Sequence, residues 1–345
     1  YAVLHLIILE RRQDALRALS SIVFFAEMLR QYDDFVEPLK FWRYLGLDRA
    51  RDIFSKTFVA QEPTPEDIHT VGLFLRKSGL YDVAEVFVRA ACTLREEQLG
   101  KAHPKTLSSF GSLAWLLIQQ GKRNEAENIY IWLSPMRREV LGEEHIQTLH
   151  TNNDLSFLYK VLGRYKEAED LCQKVLQIRE RVLGTEHKDT LQSYSNLASI
   201  YVQQRRFQKA EEIYTKVFAL REEILGESHP HTLASMSQLS NLYVRQGIYP
   251  RARELYIKSL HEYQKILGKE HPSTLSVNTA LIDLDVRQEF YLQAQERCHS
   301  AISSYERVFG KEHPNTIHLH NLLAQIHFKK GNLHEAENEA LFSLH

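Results

Sequence analysis

Histidine is the residue type whose number and spacing in this sequence first suggest chemistry. Six of the 17 histidines recur 42 residues apart, each three residues after a glycine: His103, His145, His187, His229, His271 and His313. Histidine binds metal ions and exchanges protons near neutral pH. However, the ligands of one zinc ion must all lie ~2 Å from it, whereas packed helices of successive units are ~10 Å apart. We therefore predict no metal site, and instead a backbone hydrogen bond from each histidine at the start of a helix.

Glutamates and cysteines are the other candidates for catalysis. The glutamates cluster at one phase of the repeat, around 167–169, 211–212 and 335–337, where the start of a helix favours negative charge. Cys92, Cys172 and Cys298 are too scattered for a disulfide framework, which predicts buried free thiols in a reducing compartment. The sequence also contains no phosphate-binding Gly-x-x-x-x-Gly-Lys-Ser/Thr motif. We predict no catalytic residues, no cofactor and no enzymatic activity.

Composition narrows the range of partners. Hydrophobic residues make up 43% of the chain and charged residues 25%, and the net charge is −1, which are ordinary values for a globular protein. Without a basic excess, nucleic acid is not expected as a partner. Without an apolar run of about 18 residues, membrane insertion is not expected either. The chain opens with neither an initiator Met nor a signal-peptide pattern, so we expect a cytoplasmic segment of a longer chain, whose other domains are candidate partners.

The elements that position these side chains follow the same 42-residue period. In residues 191–224, two apolar runs at helical spacing are separated by a short turn. Most equivalent turns carry a glycine, which suits the left-handed residue that ends a helix. The small Ala210 stands where the two helices cross. A period of this length is typical of a solenoid, and it predicts about seven helix-turn-helix units over residues 63–345, behind a helical lead-in over residues 1–62.

The sequence motifs of each unit also resemble those of a known family. The order Leu-Ala, Tyr, Gly, aromatic, Ala, Tyr resembles the tetratricopeptide repeat. The link between units reads Gly-Glu-Ser-His-Pro-His-Thr-Leu at 226–233 and Gly-Lys-Glu-His-Pro-Ser-Thr-Leu at 268–275. This link sequence resembles that of the kinesin light chain and nephrocystin-3 branch of that family. The resemblance implies an all-α, right-handed superhelical solenoid whose first helices line a concave groove.

Candidate binding residues follow from the helical phase of that groove. In the first helix of each unit, the positions opposite the packing stripe are rich in amides and hydroxyls, which can bond the backbone of an extended peptide. Arg245 and Arg287 can pair with acidic side chains of a ligand. We predict a protein or peptide partner bound at Asn153, Phe157, Lys160, Ser195, Asn196, Gln203, Gln238, Asn241, Arg245, Asp283, Arg287 and Asn321.

Two functions remain open on this basis. The first is a non-enzymatic scaffold that binds a peptide or protein partner in the groove. The second is a regulatory or sensor arm of a larger signalling NTPase, of the nephrocystin-3-like or STAND type, which controls the activity of that enzyme. The sequence upstream of Tyr1 would separate them, since a nucleotide-binding motif there favours the regulatory arm.

Two positions depart from the repeat pattern. Pro135 stands in the middle of a predicted second helix, where it removes a hydrogen bond and clashes one turn back. We therefore expect a kink or an early break near residues 133–136. Asp285 occupies the position of Tyr159, Tyr201 and Tyr243 in other units. A buried carboxylate is costly unless paired, so we expect Asp285 to pair with a base or to lie at a loosened joint.

Overall fold

The computed structural model describes Ala26, Leu29 and residues 63–77, 80–311 and 313–342. The ranges from residue 63 onward contain fourteen α-helices and no strand. The helices are α1 Pro65–Lys77, α2 Tyr81–Leu99, α3 Pro104–Gln119, α4 Arg123–Leu141, α5 Ile146–Val161, α6 Tyr165–Leu183, α7 Lys188–Gln203, α8 Phe207–Leu225, α9 Pro230–Gln246, α10 Tyr249–Leu267, α11 Pro272–Arg287, α12 Tyr291–Phe309, α13 Pro314–Lys329 and α14 Leu333–Phe342.

These helices form successive helix-turn-helix pairs, as the 42-residue period predicts. The turn inside most described pairs contains a glycine with positive φ, such as Gly163 at 80° and Gly247 at 78°. Two pairs lack that glycine, and there Arg205 (φ 59°) and Glu289 (φ 64°) adopt the left-handed conformation instead. Side chains are strained in this region. The turn geometry is therefore set by the packing of the two helices, even where the residue is unfavourable. Gly79, the expected turn glycine of the first pair, lies outside the described residues.

The linker histidines cap helices, as predicted. Each is the residue before a first helix, and its Nδ1 accepts a hydrogen bond from the backbone N–H two residues later, at 3.1–3.2 Å. The acceptor satisfies one of the free N–H groups at a helix start. At four of the six caps the next residue is proline, which has no N–H to lose there.

A second recurrent contact was not predicted. Arg95, Arg137, Arg179 and Arg221 are spaced 42 residues apart in the second helices and are at most 6% exposed. The Nη1 of each donates to a carbonyl ten residues on and to a hydroxyl fourteen residues on, in the first turns of the next helix. Tyr263 and Tyr305 take the same phase in later units, and the Tyr263 hydroxyl donates to the Pro230 carbonyl at 2.9 Å. The buried arginines thus join one helical pair to the next, whereas the Tyr263 bond connects the two helices of its own pair, α9 and α10.

The chain divides into two compact units, residues 1–171 (the N-terminal unit) and 172–345 (the C-terminal unit), each with its own core. Ala26 and Leu29 are helical and buried with Ile68 and Phe74 in the core of the N-terminal unit. This contact agrees with a lead-in packed on the first repeat. The rest of residues 1–62 lies outside the described residues, so the lead-in and its boundary stay predictions.

Of the two outcomes expected at Pro135, the early break is wrong, and the kink stays a prediction. Helix α4 runs without interruption from Arg123 to Leu141, with Pro135 inside it. Its buried residues lie on both sides of the proline, with Leu133 before it and Arg137 after it. Pro135 and Ile131 are both exposed, so water can satisfy the carbonyl that the missing N–H would have bonded.

The expectation for Asp285 is confirmed in its first form. The side chain is fully buried, and its carboxylate lies 2.6 Å from Arg253 and 3.4 Å from Arg297. These contacts are ion pairs rather than well-aligned hydrogen bonds. Because both cations belong to the neighbouring second helices, Asp285 joins α11 to α10 and α12.

Candidate functional site

The C-terminal unit contains a pocket of about 480 Å³ on the inner faces of its first helices. Helices α7, α9, α11 and α13 form its walls, while Tyr214 and Tyr256 from the second helices form its floor. Half of the predicted binding residues line this one pocket, namely Gln203, Gln238, Asn241, Arg245, Asp283 and Arg287. The helical phase therefore places residues from three separate units around one space.

Arginines supply the free charge of the pocket. Arg245 on α9 and Arg287 on α11 occupy equivalent positions 42 residues apart, and both are exposed. Neither forms a hydrogen bond or ion pair with a described residue. Two guanidinium groups that the protein itself does not neutralise can pair with carboxylates of a ligand, in bidentate geometry.

The amides of the pocket are partly engaged. The Tyr256 hydroxyl donates to Oδ1 of Asn241 at 2.6 Å, so that the Asn241 Nδ2 donor is left for a ligand. Burial raises the pKa of Tyr256, and the nearby Asp283 raises it further, so the hydroxyl stays a donor. The Oε1 of Gln238 is buried and has no hydrogen-bond partner among the described residues. The pocket thus offers an amide donor at Asn241 and an unpartnered amide oxygen at Gln238.

Asp283 and His318 form a link across the pocket that the sequence pattern does not predict. Their closest atoms, Asp283 Oδ2 and His318 Nε2, are 3.2 Å apart. The hydrogen bond to Asp283 raises the pKa of His318 above its usual value. The two residues stand 35 positions apart, so no short-range pattern in the sequence joins them.

Three predicted residues belong to the N-terminal unit. Phe157 lies with its ring centroid 5.3 Å from that of Trp115, and Lys160 holds its ammonium 4.4 Å from the Phe157 ring. Asn153 is half-buried on the same helix, α5. Two of the three predicted residues of this unit, Phe157 and Lys160, thus belong to an aromatic cluster with Trp115.

The remaining predictions fit the pocket less well. Ser195 is 1% exposed and its hydroxyl donates to the Leu191 carbonyl, so it offers no surface to a ligand and its assignment is wrong. A serine hydroxyl on a helix can bond back to its own backbone, which the helical phase alone does not reveal. Asn196 accepts from Gln192 at 3.1 Å, and Asn321 is exposed on α13. Neither lines the pocket.

The other candidate chemistry is accounted for by structural contacts. Cys92, Cys172 and Cys298 are buried and free, as predicted, and burial raises the pKa of Cys92 and of Cys298 to about 12. Within the described part of the chain, no three His, Cys, Asp or Glu side chains come together as metal ligands. No described helix is both long enough and apolar enough to cross a membrane.

Comparison with known proteins defines the class. A profile of the tetratricopeptide repeat matches residues 67–139, 147–223, 189–261 and 274–340. These matches cover well over half of the chain, so the chain belongs to the tetratricopeptide repeat family. The repeated helical pairs and the absence of strands in residues 63–77, 80–311 and 313–342 agree with that assignment.

Individual relatives are more distant. Nephrocystin-3 from Mus musculus is 28% identical over 116 residues, which make up 30% of this chain and 9% of nephrocystin-3. The chain therefore spans only a small part of that relative. A crystal structure of a variant of nearly identical TPR-like repeats, from a Podosopora anserina protein named a kinesin light chain, is 25% identical with a TM-score of 0.50 and covers 59% of this chain and 98% of that one.

A third similarity concerns the fold alone. The apo form of RapI has a TM-score of 0.55 at 15% identity, over 81% of this chain and 96% of RapI. Together these findings confirm the resemblance to tetratricopeptide repeats that the repeated sequence motifs indicate. Like tetratricopeptide scaffolds in general, the chain has the architecture of a protein-interaction domain.

Proposed function

We propose that the chain is a non-enzymatic scaffold that holds an extended segment of a protein partner against the inner faces of its first helices. The observation that carries this proposal is the convergence of Gln238, Asn241, Arg245, Asp283 and Arg287 on one pocket of the C-terminal unit. Amides of this kind can bond a peptide backbone, and the two free arginines favour acidic side chains.

A catalytic role has less support than binding. The pocket has no nucleophile next to a base, since its one hydrogen-bonded titratable pair, Asp283 and His318, lies beside amides and guanidinium groups. What the arrangement offers is a set of fixed donors, acceptors and charges. Such a set serves recognition.

The test compares two variants with two controls. The partner is captured from lysate on the full chain, and its interacting segment is then synthesised and titrated. Arg245→Ala and Arg287→Ala should each weaken binding by about 1–3 kcal/mol, the range for a well-placed interface residue, while the melting temperature changes little because neither side chain bonds the protein. The controls Arg251→Ala and Glu254→Ala, exposed on the second helix α10, should leave the affinity unchanged.

Equal affinity of all four variants would contradict the proposal. If the segment that binds comes from the same longer chain, the occupant is internal. That result would favour the second function, a regulatory arm of a larger signalling NTPase, while keeping the same pocket.

A further inference from the structure

The N-terminal unit contains a second cavity, of about 470 Å³, that none of the predicted residues lines. Its walls come from α1, α3 and α5, with Arg76, Trp115 and Asp154 among the lining residues. Tyr130 and Arg137, from the second helix α4, form the floor. Tyr130 is fully buried and Arg137 is 6% exposed. The two polar side chains of the floor are therefore held inside the fold and are not freely solvated.

Two residues distinguish the lining of this cavity from the equivalent positions of most other units. Arg76 stands at a phase that is apolar in most later units, which carry Ile118, Lys160, Val202, Val244, Val286 and Phe328 there. Gly111 stands at the phase of Asn153, Ser195, Ser237, Thr279 and Asn321. A Cβ at Gly111 would lie 3.2 Å from Nη2 of Arg137. The sequence thus introduces a cation on one wall and removes a side chain from another, next to a second cation.

The cations of the cavity outnumber its carboxylates, because Asp154, the one carboxylate among the lining residues, acts on both Arg76 and Arg137. Arg76 forms no hydrogen bond or ion pair with a described residue, and its Nε is buried. Arg137 bonds only neutral groups, which are the Gln147 and Leu107 carbonyls and the Thr151 hydroxyl. Burial lowers the pKa of both guanidinium groups, because the charged form loses its hydration. An anion entering the cavity would compensate that loss.

The charge of the lining decides which anion fits. Arg76, Arg137 and Asp154 together carry one net positive charge. A single carboxylate neutralises it, whereas a phosphate dianion would leave an excess negative charge beside Asp154. The buried Oε1 of Gln147 has no partner among the described residues, and it can accept from an amide N–H next to that carboxylate. We propose that this cavity binds a carboxylate group of a peptide, with Arg76 as its ion-pair partner.

The tryptophans provide a readout confined to this unit. The chain has three, Trp42, Trp115 and Trp132, all in the N-terminal unit, and Trp115 lines the cavity. Indole N–H signals of the ¹⁵N-labelled full chain are recorded by NMR, and Trp115→Phe assigns the relevant one. The probes are acetyl-Ala-Glu-Ala-amide, acetyl-Ala-Ala-Ala with a free carboxyl terminus, neutral acetyl-Ala-Gln-Ala-amide, and inorganic phosphate. Either carboxylate probe should shift the Trp115 signal saturably, and the tighter of the two identifies a side-chain or a terminal carboxylate.

Variants then test the named residues. Arg76→Gln should weaken the carboxylate probe at least tenfold. Gly111→Ser should do the same by filling the cavity with a residue that the fold accommodates at Ser195. Arg245→Gln, in the pocket of the other unit, is the matched control and should leave the Trp115 titration unchanged. This control also makes the proposal independent of the C-terminal pocket.

Several results would overturn the carboxylate site. These are no saturable shift of Trp115, equal shifts with the neutral peptide, tighter binding of phosphate than of either carboxylate, or unchanged binding by Arg76→Gln and Gly111→Ser. The dispersion of the three indole signals in each variant verifies that the unit has kept its fold.

Discussion

The two cavities occupy the same phases of the repeat but differ in chemistry. Each has a buried tyrosine as its floor, Tyr130 in the N-terminal unit and Tyr256 in the C-terminal unit, three periods apart. Above it, the N-terminal cavity presents Trp115 where the C-terminal pocket presents Asn241. The difference teaches that the repeat determines where a binding space forms, while a few inner-face side chains determine what it binds.

Both units share the residues that hold the repeats together. The buried arginines and the capping histidines recur with the same partners in both units. Stability should therefore depend on these recurrent contacts in either unit, and binding on the inner-face residues that vary. Variants at the recurrent contacts should therefore change the free energy of unfolding, and variants on the inner face should change binding.

The largest loss of stability should follow Arg179→Ala. Arg179 is 2% exposed and donates to the Asp189 carbonyl at 2.9 Å and to the Ser193 hydroxyl at 2.7 Å. Removing it leaves a cavity and unpaired buried acceptors, at a cost of about 3 kcal/mol. Urea unfolding followed by circular dichroism measures this. Arg181→Ala, exposed two residues further on, is the control and should cost under about 0.5 kcal/mol. Equal costs for the two variants would break the distinction between recurrent and variable positions.

A slightly smaller loss is expected for Asp285→Ala, which tests a contact that only the C-terminal unit has. The variant leaves Arg253 and Arg297 without their shared carboxylate. Breaking a buried ion pair from one side costs about 2–3 kcal/mol here, because both arginines keep partial access to water. Arg253→Ala in the Asp285→Ala background should then add little. Additive effects in this double-mutant cycle would show that the pair does not interact.

Acid should destabilise the protein through His69 more than through His313. Burial lowers the pKa of His69 to about 3 and that of His313 to about 4, from 6.5 in the unfolded chain. Both folded-state values lie below the unfolded value, so the stability that these residues contribute is present above pH 6.5 and is lost as the pH falls toward 4. His69 is 7% exposed and should account for up to about 2 kcal/mol of the loss at pH 5.

Unfolding of His69→Gln and His313→Gln at pH 7.5 and pH 5 measures how much of the acid-induced loss of stability comes from each histidine. The pH dependence should be reduced more by His69→Gln, because the half-buried His313 is screened by solvent. A pH dependence as steep in His69→Gln as in the wild type would contradict the assignment.

The smallest effect should be a gain in stability at the turns. Arg205→Gly and Glu289→Gly place glycine at positive φ, which removes side-chain strain of about 1 kcal/mol. Glycine also raises the conformational entropy of the unfolded chain, which offsets part of that gain in stability. Each should stabilise the protein by roughly 0.5 kcal/mol. Gly247→Ala, the reverse change at φ 78°, should destabilise it. Thermal unfolding of the three variants tests whether these turns follow one rule across the repeats.

The helices and their caps were predictable from the sequence because both depend on short-range pattern. The spacing of apolar residues, the turn glycines and the Leu-Gly-x-x-His motif each lie within a few residues of the helix, turn or cap that they determine. The arginine at 95, 137, 179 and 221 was equally visible in the sequence. Its role was missed, because an arginine is expected to be exposed unless its partners are known.

The site was predictable only in part, for a different reason. Helical phase selected six residues that line the C-terminal pocket, but it could not show which hydroxyls bond their own helix, as Ser195 does. Contacts between units 35 residues apart, such as Asp283 with His318, depend on how helices pack. The cavity around Arg76 similarly required knowing that Gly111 faces Arg137.

Photo-crosslinking tests the central claim most directly. A benzoylphenylalanine is placed at Arg245, on the inner face of α9, or at Glu254, exposed on the second helix α10. The synthetic partner segment is added to each full-length variant, the samples are irradiated, and the covalent adducts are quantified by mass spectrometry. The account predicts an adduct from position 245 that free wild-type chain competes away, and little adduct from position 254. An adduct from position 254 with none from position 245 would show that the partner binds the second helices, and would contradict the account.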